Sequence, residues 1–173
     1  QIYSYHPERL VLIDQAESPL HELVLELRNQ SITHFDRVVR SYLAAITDYG
    51  RMDHIFSIYQ PHMIYHAAAY KHVPMMEAHP SEAIQVNVLG TAQLADLAVK
   101  YRAREFVMVS TDKAVNPTSV MGATKRIAEM YISCLQKESK TKFITTRFGN
   151  VLGSNGSVIP LFKQQIETGG PLT

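Results

Sequence analysis

The 173-residue sequence has few of the features that mark specialised classes of protein. Cys134 is its only cysteine, so no disulfide can form within the chain, which fits a reducing compartment. No apolar run approaches the ~18 residues that a membrane span needs, and no signal peptide is visible at the start. The formal net charge is only +1, which gives no electrostatic case for binding nucleic acid or an anionic membrane. These absences predict a soluble, cytoplasmic polypeptide.

Apolar residues make up 46% of the sequence, enough for one domain with its own core. β-rich apolar runs predict strands at residues 10–13, 37–43, 63–66, 106–109 and 143–148. Apolar residues at helical spacing predict helices at residues 17–28, 48–59, 80–101 and 119–137. The stripe expected to face the sheet from the first helix consists of Leu20, Leu23, Val24 and Leu27. Because strands and helices alternate, we predict an α/β fold with a doubly wound parallel sheet of the Rossmann type.

Polar side chains follow the strand predicted at residues 106–109 without a gap. They are Ser110, Thr111, Asp112 and Lys113, which place hydroxyls, a carboxylate and an amine together. In an open α/β sheet, ligands bind at the carboxyl ends of the strands. The segment therefore predicts an active site, although an ordinary polar loop in which Asp112 caps a turn would have the same residues.

Residues 111–125, TDKAVNPTSVMGATK, resemble the nucleoside-diphosphate-sugar 4,6-dehydratases of bacterial capsule, O-antigen and flagellin glycan synthesis. These belong to the extended short-chain dehydrogenase/reductase superfamily. Met121 and Lys125 share one helix face, and most of the superfamily has a catalytic tyrosine where this chain has Met121. A thioether has no proton to give. The polysaccharide-biosynthesis branch carries methionine here, and we expect Met121 to face the active-site cleft and not the core.

The resemblance implies NAD as the cofactor. Asp14 follows a predicted strand and either hydrogen-bonds the ribose of NAD or caps the turn before the next helix. Alanines at residues 67–69 would let a flat ligand approach the backbone. Ala45 stands where the family usually has the acid that holds the adenine amine. The cofactor contacts implied by the resemblance are Asp14, Ala67, Ala68, Ala69, Asn87, Ser110, Lys125 and Phe148.

Asn87 lies in NVLGT, which resembles the family motif NVxGT, where the asparagine ties its helix to the strand carrying the catalytic residues. The alternative is a helix asparagine on a polar face. For the sugar, the resemblance implies Lys71 and, in and after the glycine-rich loop at residues 147–157, Asn150, Ser157 and Pro160. Four histidines, His62, His66, His72 and His79, invite a metal interpretation, but no cysteine or carboxylate completes a tetrahedral set, so we expect no metal.

The implied reaction converts a UDP-N-acetylhexosamine to a 4-keto-6-deoxy sugar. Thr111 would hydrogen-bond the C4 oxygen, Asp112 would protonate the leaving C6 hydroxyl, and Lys113 would remove the C5 proton. Lys125 would hold the nicotinamide ribose, and Met121 occupies the tyrosine position. The alternatives are a nucleotide-sugar epimerase or reductase of the same fold, and a non-catalytic NAD-binding protein.

The resemblance divides the chain into a partial NAD-binding Rossmann domain at residues 1–150 and the start of the nucleotide-sugar-binding part at residues 151–173. No G-x-x-G-x-x-G turn precedes Leu10, and nothing follows Thr173 to complete the sugar-binding lobe. We therefore expect a fragment, truncated at both ends and inactive alone. Its helices at residues 81–101 and 119–137 should pair subunits in a homo-oligomer, through apolar residues left over from the sheet-facing stripes: Met130, Tyr131 and Leu135 beside Leu94 and Ala98. The parent protein can carry membrane helices in this family, which would place this part at the cytoplasmic face of the inner membrane.

Overall fold

The strands form two parallel sheets. The computed structural model describes residues 1–30, 32–149, 151, 162 and 165–170, of which residues 32–34 are described by backbone alone. The first sheet has two strands, β1 (Leu10–Asp14) and β2 (Val39–Leu43). The second has the order β3-β4-β5, with β3 (Met63–His66), β4 (Glu105–Thr111) and β5 (Lys142–Phe148). All neighbouring strands are parallel, which confirms the predicted α/β class.

Helices connect the strands. They are α1 (Glu17–Gln30), α2 (Ile32–Val38), α3 (Tyr49–Tyr59), α4 (Val73–Ala78), α5 (Pro80–Ala83), α6 (Thr91–Lys100) and α7 (Val120–Glu138). A π-helix at Ile84–Gly90 joins α5 to α6, so the long helix predicted at residues 80–101 is present but changes its winding. Short 3₁₀ turns lie at Ile2–Tyr5 and Asp112–Ala114. The helices α2 and α4 were not predicted. No helix in the described ranges is long and apolar enough to cross a membrane.

One apolar core supports both sheets. Every second residue of β4 is buried, and its fully buried Phe106 and Met108 pack with side chains from α3, α6 and α7. These include Met52, Ile55, Phe56, Leu94, Leu97, Ala128 and Ile132. Val11 and Ile13 of β1 pack on the same cluster. Burying a large apolar side chain contributes about 1.5–3 kcal/mol, so this cluster fixes α6 and α7 against β4.

The opposite face of the first sheet packs on α1, through a second cluster that contains Leu27, Phe35 and Val39. Leu20 and Leu27 are buried as predicted, but Leu23 is 40% exposed, so its assignment to the sheet-facing stripe was wrong. Leu23 lies one residue before Val24, about 100° around the helix, which turns it away from the sheet.

β1 and β3 do not pair with each other. In the Rossmann strand order 3-2-1-4-5-6, the strands that correspond to β1 and β3 lie on either side of one further strand. Within the described residues no strand occupies that position. Each of the two sheets therefore keeps an edge that no described strand pairs.

Candidate active site

The carboxyl ends of β3, β4 and β5 lie side by side. Thr111 of β4 pairs with Phe148 of β5, and His66 of β3 pairs with Met108. Because the strands are parallel, the segments that follow them, starting at Ala67, Asp112 and Gly149, emerge at one edge of the sheet. A Cβ atom built on Gly149 would lie 3.3 Å from Oδ2 of Asp112, so the backbone after β5 approaches that carboxylate closely.

Thr111, Asp112 and Lys113 form one hydrogen-bonded unit. The Thr111 hydroxyl donates to Oδ1 of Asp112 at 2.9 Å, and Nζ of Lys113 donates to the same oxygen at 3.3 Å. The backbone N–H of Lys113 donates to Oγ1 of Thr111 at 3.3 Å. Both charged side chains are accessible, with 58% of the Asp112 side chain and 39% of the Lys113 side chain exposed. The unit can therefore contact a ligand without rearrangement of the fold.

The hydrogen bond from Thr111, and then that from Lys113, lower the pKa of Asp112 below its usual value. Asp112 is therefore a carboxylate at neutral pH. A carboxylate accepts protons, so the predicted role of Asp112 as an acid requires that it first receives one.

Lys125 lies below this unit, on the second turn of α7, and is 4% exposed. Its Nζ donates to the carbonyl oxygen of Val109 at 2.7 Å. Burial lowers the pKa of Lys125 to about 8, and the charge of Glu129 opposes this shift. Lys125 and Met121 share a helix face as the sequence predicted, because they are four residues apart on α7, and both are buried.

The buried carboxylate of Glu129 joins β4, β5 and α7, and the sequence analysis missed it. Arg147 donates to both its oxygens at 2.9 and 2.6 Å, and the hydroxyl of Ser110 donates at 2.6 Å. Burial alone would raise the pKa of Glu129, but the hydrogen bonds from Arg147 and Ser110 outweigh it and lower the pKa. Ser110 is thus occupied inside the protein here, and its predicted contact with the cofactor stays a prediction.

Asn87 is fully buried, so the alternative of a helix asparagine on a polar face is wrong. Its side chain accepts from the N–H of Tyr70 at 2.8 Å and donates to the carbonyl of Tyr70 at 3.0 Å and to Oγ1 of Thr124 at 3.1 Å. The sequence predicted that Asn87 connects its helix to a strand. In the structure it connects that helix to the segment after β3 and to α7. Its predicted cofactor contact stays a prediction.

Met121 does not face the cleft. It is 4% exposed and packs in an apolar cluster with Met76 and Ala83, bordered by Tyr70 and Val73. The expectation that this position lies outside the core was wrong, because α4, which the sequence did not predict, covers it.

The remaining predicted positions lie at the same edge or outside the described residues. Ala67 and Ala68 are exposed, Ala69 is half-buried, and Phe148 is exposed. Asp14 is exposed at the end of β1, and its Oδ1 accepts from the N–H of Ala16 at 2.8 Å, which is the turn-capping geometry. This hydrogen bond uses only one carboxylate oxygen of Asp14, so its predicted contact with the ribose of NAD stays a prediction. Asn150, Ser157 and Pro160 fall outside the described residues.

Lys71 is exposed and lines a cavity of about 460 Å³ beside Tyr70, His72, Met75, Met76, His79 and Glu82.

Of the histidines, His66 is buried and hydrogen-bonded through Nε2 to Oγ1 of Thr91 at 2.8 Å. Burial lowers its pKa to about 3. The part of the chain that the structure describes contains no cluster of three histidine, cysteine or acidic side chains placed to hold a metal ion.

Comparison with known proteins gives a family. Residues 1–173 match the family model described as polysaccharide biosynthesis protein. The chain is 48% identical over 173 residues to the probable polysaccharide biosynthesis protein EpsC of Bacillus subtilis (strain 168). It is also 48% identical over 177 residues to the capsular polysaccharide biosynthesis protein CapD of Staphylococcus aureus. A UDP-glucose 4-epimerase of Rickettsia canadensis (strain McKiel) is 38% identical over 165 residues, which are 94% of this chain and 46% of that protein.

Solved structures agree with this. The X-ray structure of Pen from Bacillus thuringiensis superposes with a TM-score of 0.83 at 33% identity, covering 93% of this chain and 50% of that one. The dTDP-glucose 4,6-dehydratase DesIV from Streptomyces venezuelae, a double mutant with NAD and DAU bound, superposes with a TM-score of 0.75, covering 95% of this chain and 54% of that one. At 21% identity the second likeness shows the fold alone. The chain spans 29% of the length of EpsC and of CapD, the family model matches it over residues 1–173, and it belongs to the polysaccharide biosynthesis protein family.

Proposed function

We propose that the protein containing this chain dehydrates a UDP-N-acetylhexosamine to its 4-keto-6-deoxy form, with NAD as a cofactor that is regenerated in each cycle. The observation that carries the proposal is the Thr111–Asp112–Lys113 unit at the end of β4. It offers a hydroxyl, a carboxylate and an amine within hydrogen-bond distance of one another at the exposed sheet edge. Elimination of water requires an acid and a base on neighbouring carbons, and a carboxylate beside an amine supplies both.

The residues at the edge fit NAD. The exposed Ala67 and Ala68 carry only methyl side chains, so a flat ring or a pyrophosphate can approach their backbone. Lys125 is buried under this edge with its amine on the carbonyl of Val109, and Asp14 lies at the end of β1, where a carboxylate can bind ribose hydroxyls. Bound there, NAD would supply the acceptor for a hydride from C4 of the sugar and the donor of that hydride to C6.

In the proposed reaction, Thr111 hydrogen-bonds the C4 oxygen and positions the hydroxyl for oxidation. Lys113, as a neutral amine, removes the C5 proton, which the new ketone has acidified, and Asp112 protonates the departing C6 hydroxyl. The ammonium of Lys113 gives the proton back to C5 when the hydride is added at C6. Lys71, on the segment after β3, binds the substrate from the side of the 460 Å³ cavity. Asn150, Ser157 and Pro160 are proposed substrate contacts on the strength of the sequence resemblance.

A nucleotide-sugar epimerase is the second candidate, because a UDP-glucose 4-epimerase is among the relatives. An epimerase exchanges the configuration at C4 and loses no water. The Asp112–Lys113 pair favours the dehydratase, since inversion at C4 needs no base at C5.

The deciding experiment incubates the whole protein with UDP-N-acetylglucosamine and NAD and follows the sugar by mass spectrometry. We expect a product lighter by one water, and an isomer of unchanged mass would favour the epimerase. Asp112→Asn should lower the rate by roughly 100-fold. The matched control is Asp36→Asn, which changes an exposed carboxylate on α2 that pairs with Arg28. It should leave the rate unchanged.

The exposed side of α6 and α7 is the proposed subunit interface. Met130 and Tyr131 are exposed apolar residues on α7, and Ile127 adds a third. Leu94 and Ala98, which the sequence analysis placed on this surface, are buried in the core, so that part of the prediction was wrong. They face β4 because they share the buried stripe of α6 with Leu97. The proposed location is the cytoplasm, where nucleotide sugars are used.

A further inference from the structure

The first turn of α7 carries an unusual cap. The N–H groups at the start of a helix have no partner within the helix. Ser119 meets one of them, because its hydroxyl oxygen accepts from the N–H of Gly122 at 3.1 Å. A second is met from elsewhere in the fold: Oε1 of Glu77, on α4, accepts from the N–H of Val120 at 2.7 Å. A carboxylate at this place also interacts favourably with the helix dipole.

Met76, the residue before Glu77, packs against the same turn of α7 with its buried side chain. Met76 is 5% exposed and packs against Met121 and Ala83. Two adjacent residues of α4 thus contact α7. Glu77 hydrogen-bonds its backbone, and Met76 packs against Met121. The segment that leads into α4 begins at Tyr70, which Asn87 ties to Thr124 on the next turn of α7.

The other side of this turn presses on the proposed catalytic unit. A Cβ atom built on Gly122 would clash with the carbonyl oxygen of Lys113, well inside the 3.0 Å that real Cβ atoms respect. The backbone of the Asp112–Lys113 turn therefore lies directly against Gly122. The first turn of α7 therefore contacts both α4, through Val120, and the Asp112–Lys113 turn, through Gly122.

We propose that Glu77 is a positioning residue: its carboxylate holds the first turn of α7 through the N–H of Val120, and the turn in contact with Gly122 holds Asp112 and Lys113 at the sugar. Because α4 follows Lys71, the same contact links the segment that binds substrate to the residues that react with it. This inference rests on the proposed dehydratase function. Glu77 itself takes no part in proton transfer.

The test compares Glu77→Ala with Glu77→Gln in the whole protein. Glutamine keeps an oxygen that can accept from the N–H of Val120, whereas alanine removes the bond. We expect Glu77→Ala to lower kcat by about 10-fold with KM for the UDP-sugar changed less than about 3-fold, and Glu77→Gln to recover most of kcat. A near-normal kcat for Glu77→Ala would overturn the inference. Equal losses in both variants would also overturn it, because they would show that the charge and not the bond matters.

A matched control separates positioning from general loss of stability. Asp48 also accepts from an N–H of the first turn of a helix, that of Arg51 at 3.0 Å, but it caps its own helix α3, which packs in the core cluster with α6. Asp48→Ala should lower the melting temperature about as much as Glu77→Ala and leave kcat within about 2-fold. If Asp48→Ala slowed the reaction equally, the effect of Glu77→Ala would be one of stability and the inference would fail.

Hydrogen exchange gives a readout that does not depend on the reaction. We expect amides of residues 112–124 to exchange faster in Glu77→Ala than in Asp48→Ala or the unchanged protein. If the unchanged protein forms no dehydrated product, the proposed function fails. The exchange comparison would still test whether Glu77 holds the first turn of α7. Equal protection of residues 112–124 in both variants would refute the role of Glu77.

Discussion

Replacing Gly122 by alanine tests how tightly α7 is packed against the proposed catalytic turn. The new Cβ would clash with the carbonyl oxygen of Lys113 and lie 3.2 Å from its carbonyl carbon, whereas ordinary contacts begin at 3.4 Å. The obstacle is backbone and cannot swing aside as a flexible side chain can. Either α7 or the Asp112–Lys113 turn therefore has to move by roughly 1 Å.

Gly122→Ala should lower the rate strongly while the free energy of unfolding falls only a little. Alanine is favoured over glycine within a helix by about 1 kcal/mol, and overpacking costs about 1–3 kcal/mol. These terms partly cancel, so we expect a loss of between about 0 and 2 kcal/mol in the free energy of unfolding. A displacement of about 1 Å at the reacting groups lowers the rate by about 100-fold. Gly122→Ala should thus be folded and nearly inactive.

The assay measures kcat by product formation and the free energy of unfolding by urea denaturation. Gly50→Ala is the control, because a Cβ at Gly50 meets only Oδ1 of Asp48, at an ordinary 3.8 Å. This variant should keep full activity and gain slightly in stability. If Gly122→Ala retained more than about a third of kcat, the close approach to Lys113 would not position the reacting groups, and the reasoning would be wrong.

Three further outcomes follow from burial and exposure. Met121→Tyr puts a larger ring into the buried cluster with Met76 and should lower the free energy of unfolding by about 1–3 kcal/mol, while Met121→Leu should cost less than about 1.5, as calorimetry can measure. Met130→Glu places a charge on the exposed face of α7 and should weaken the proposed self-association in sedimentation; an unchanged association constant would exclude Met130 from the proposed interface. Burial lowers the pKa of His66 to about 3, below the ~6.5 of the unfolded chain, so the unfolded state alone binds a proton between these values. The free energy of unfolding should therefore fall as pH drops from ~6.5 towards 3, and His66→Gln should flatten this dependence.

The regular part of the fold was predictable because its signals are local. Runs rich in apolar, β-branched and aromatic residues predicted all five described strands to within a few residues, because these residue types favour the extended, partly buried backbone of a sheet. The six-residue α4 was missed because its hydrophobic pattern is too short to show a helical period. The π-helix at Ile84–Gly90 has no local signal either. It accompanies the inward turn of Asn87 towards Tyr70, a contact between residues 17 apart in sequence.

The site was predictable as a location but not as a set of contacts. Thr111, Asp112 and Lys113 cluster at the end of β4 as expected. They are consecutive in the sequence, so knowing where the strand ends is enough to place them together. The orientation of Ser110 had a usable signal: it has the same parity as Phe106 and Met108, so it faces α7. Glu129 follows Lys125 by four residues on the same helix face, which also pointed inward. Glu77 had no such signal, since its partner depends on tertiary packing.

Because Met121 is buried, we propose that in the dehydratase reaction the unit at the end of β4 removes the C4 hydroxyl proton. Thr111 donates to Asp112, and its own oxygen can accept from the sugar, so a proton can pass from the C4 hydroxyl through Thr111 to the carboxylate. Asp112 is ionised before the reaction because Thr111 and Lys113 lower its pKa, and this transfer would give it the proton that it later donates to the C6 hydroxyl. The two steps then separate in variants. Asp112→Asn should slow both sugar oxidation and water loss, each by roughly 100-fold. Lys113→Ala should still oxidise the sugar and accumulate reduced nicotinamide in a single turnover. Reduced nicotinamide in Asp112→Asn at the normal rate would show that another group takes the C4 proton.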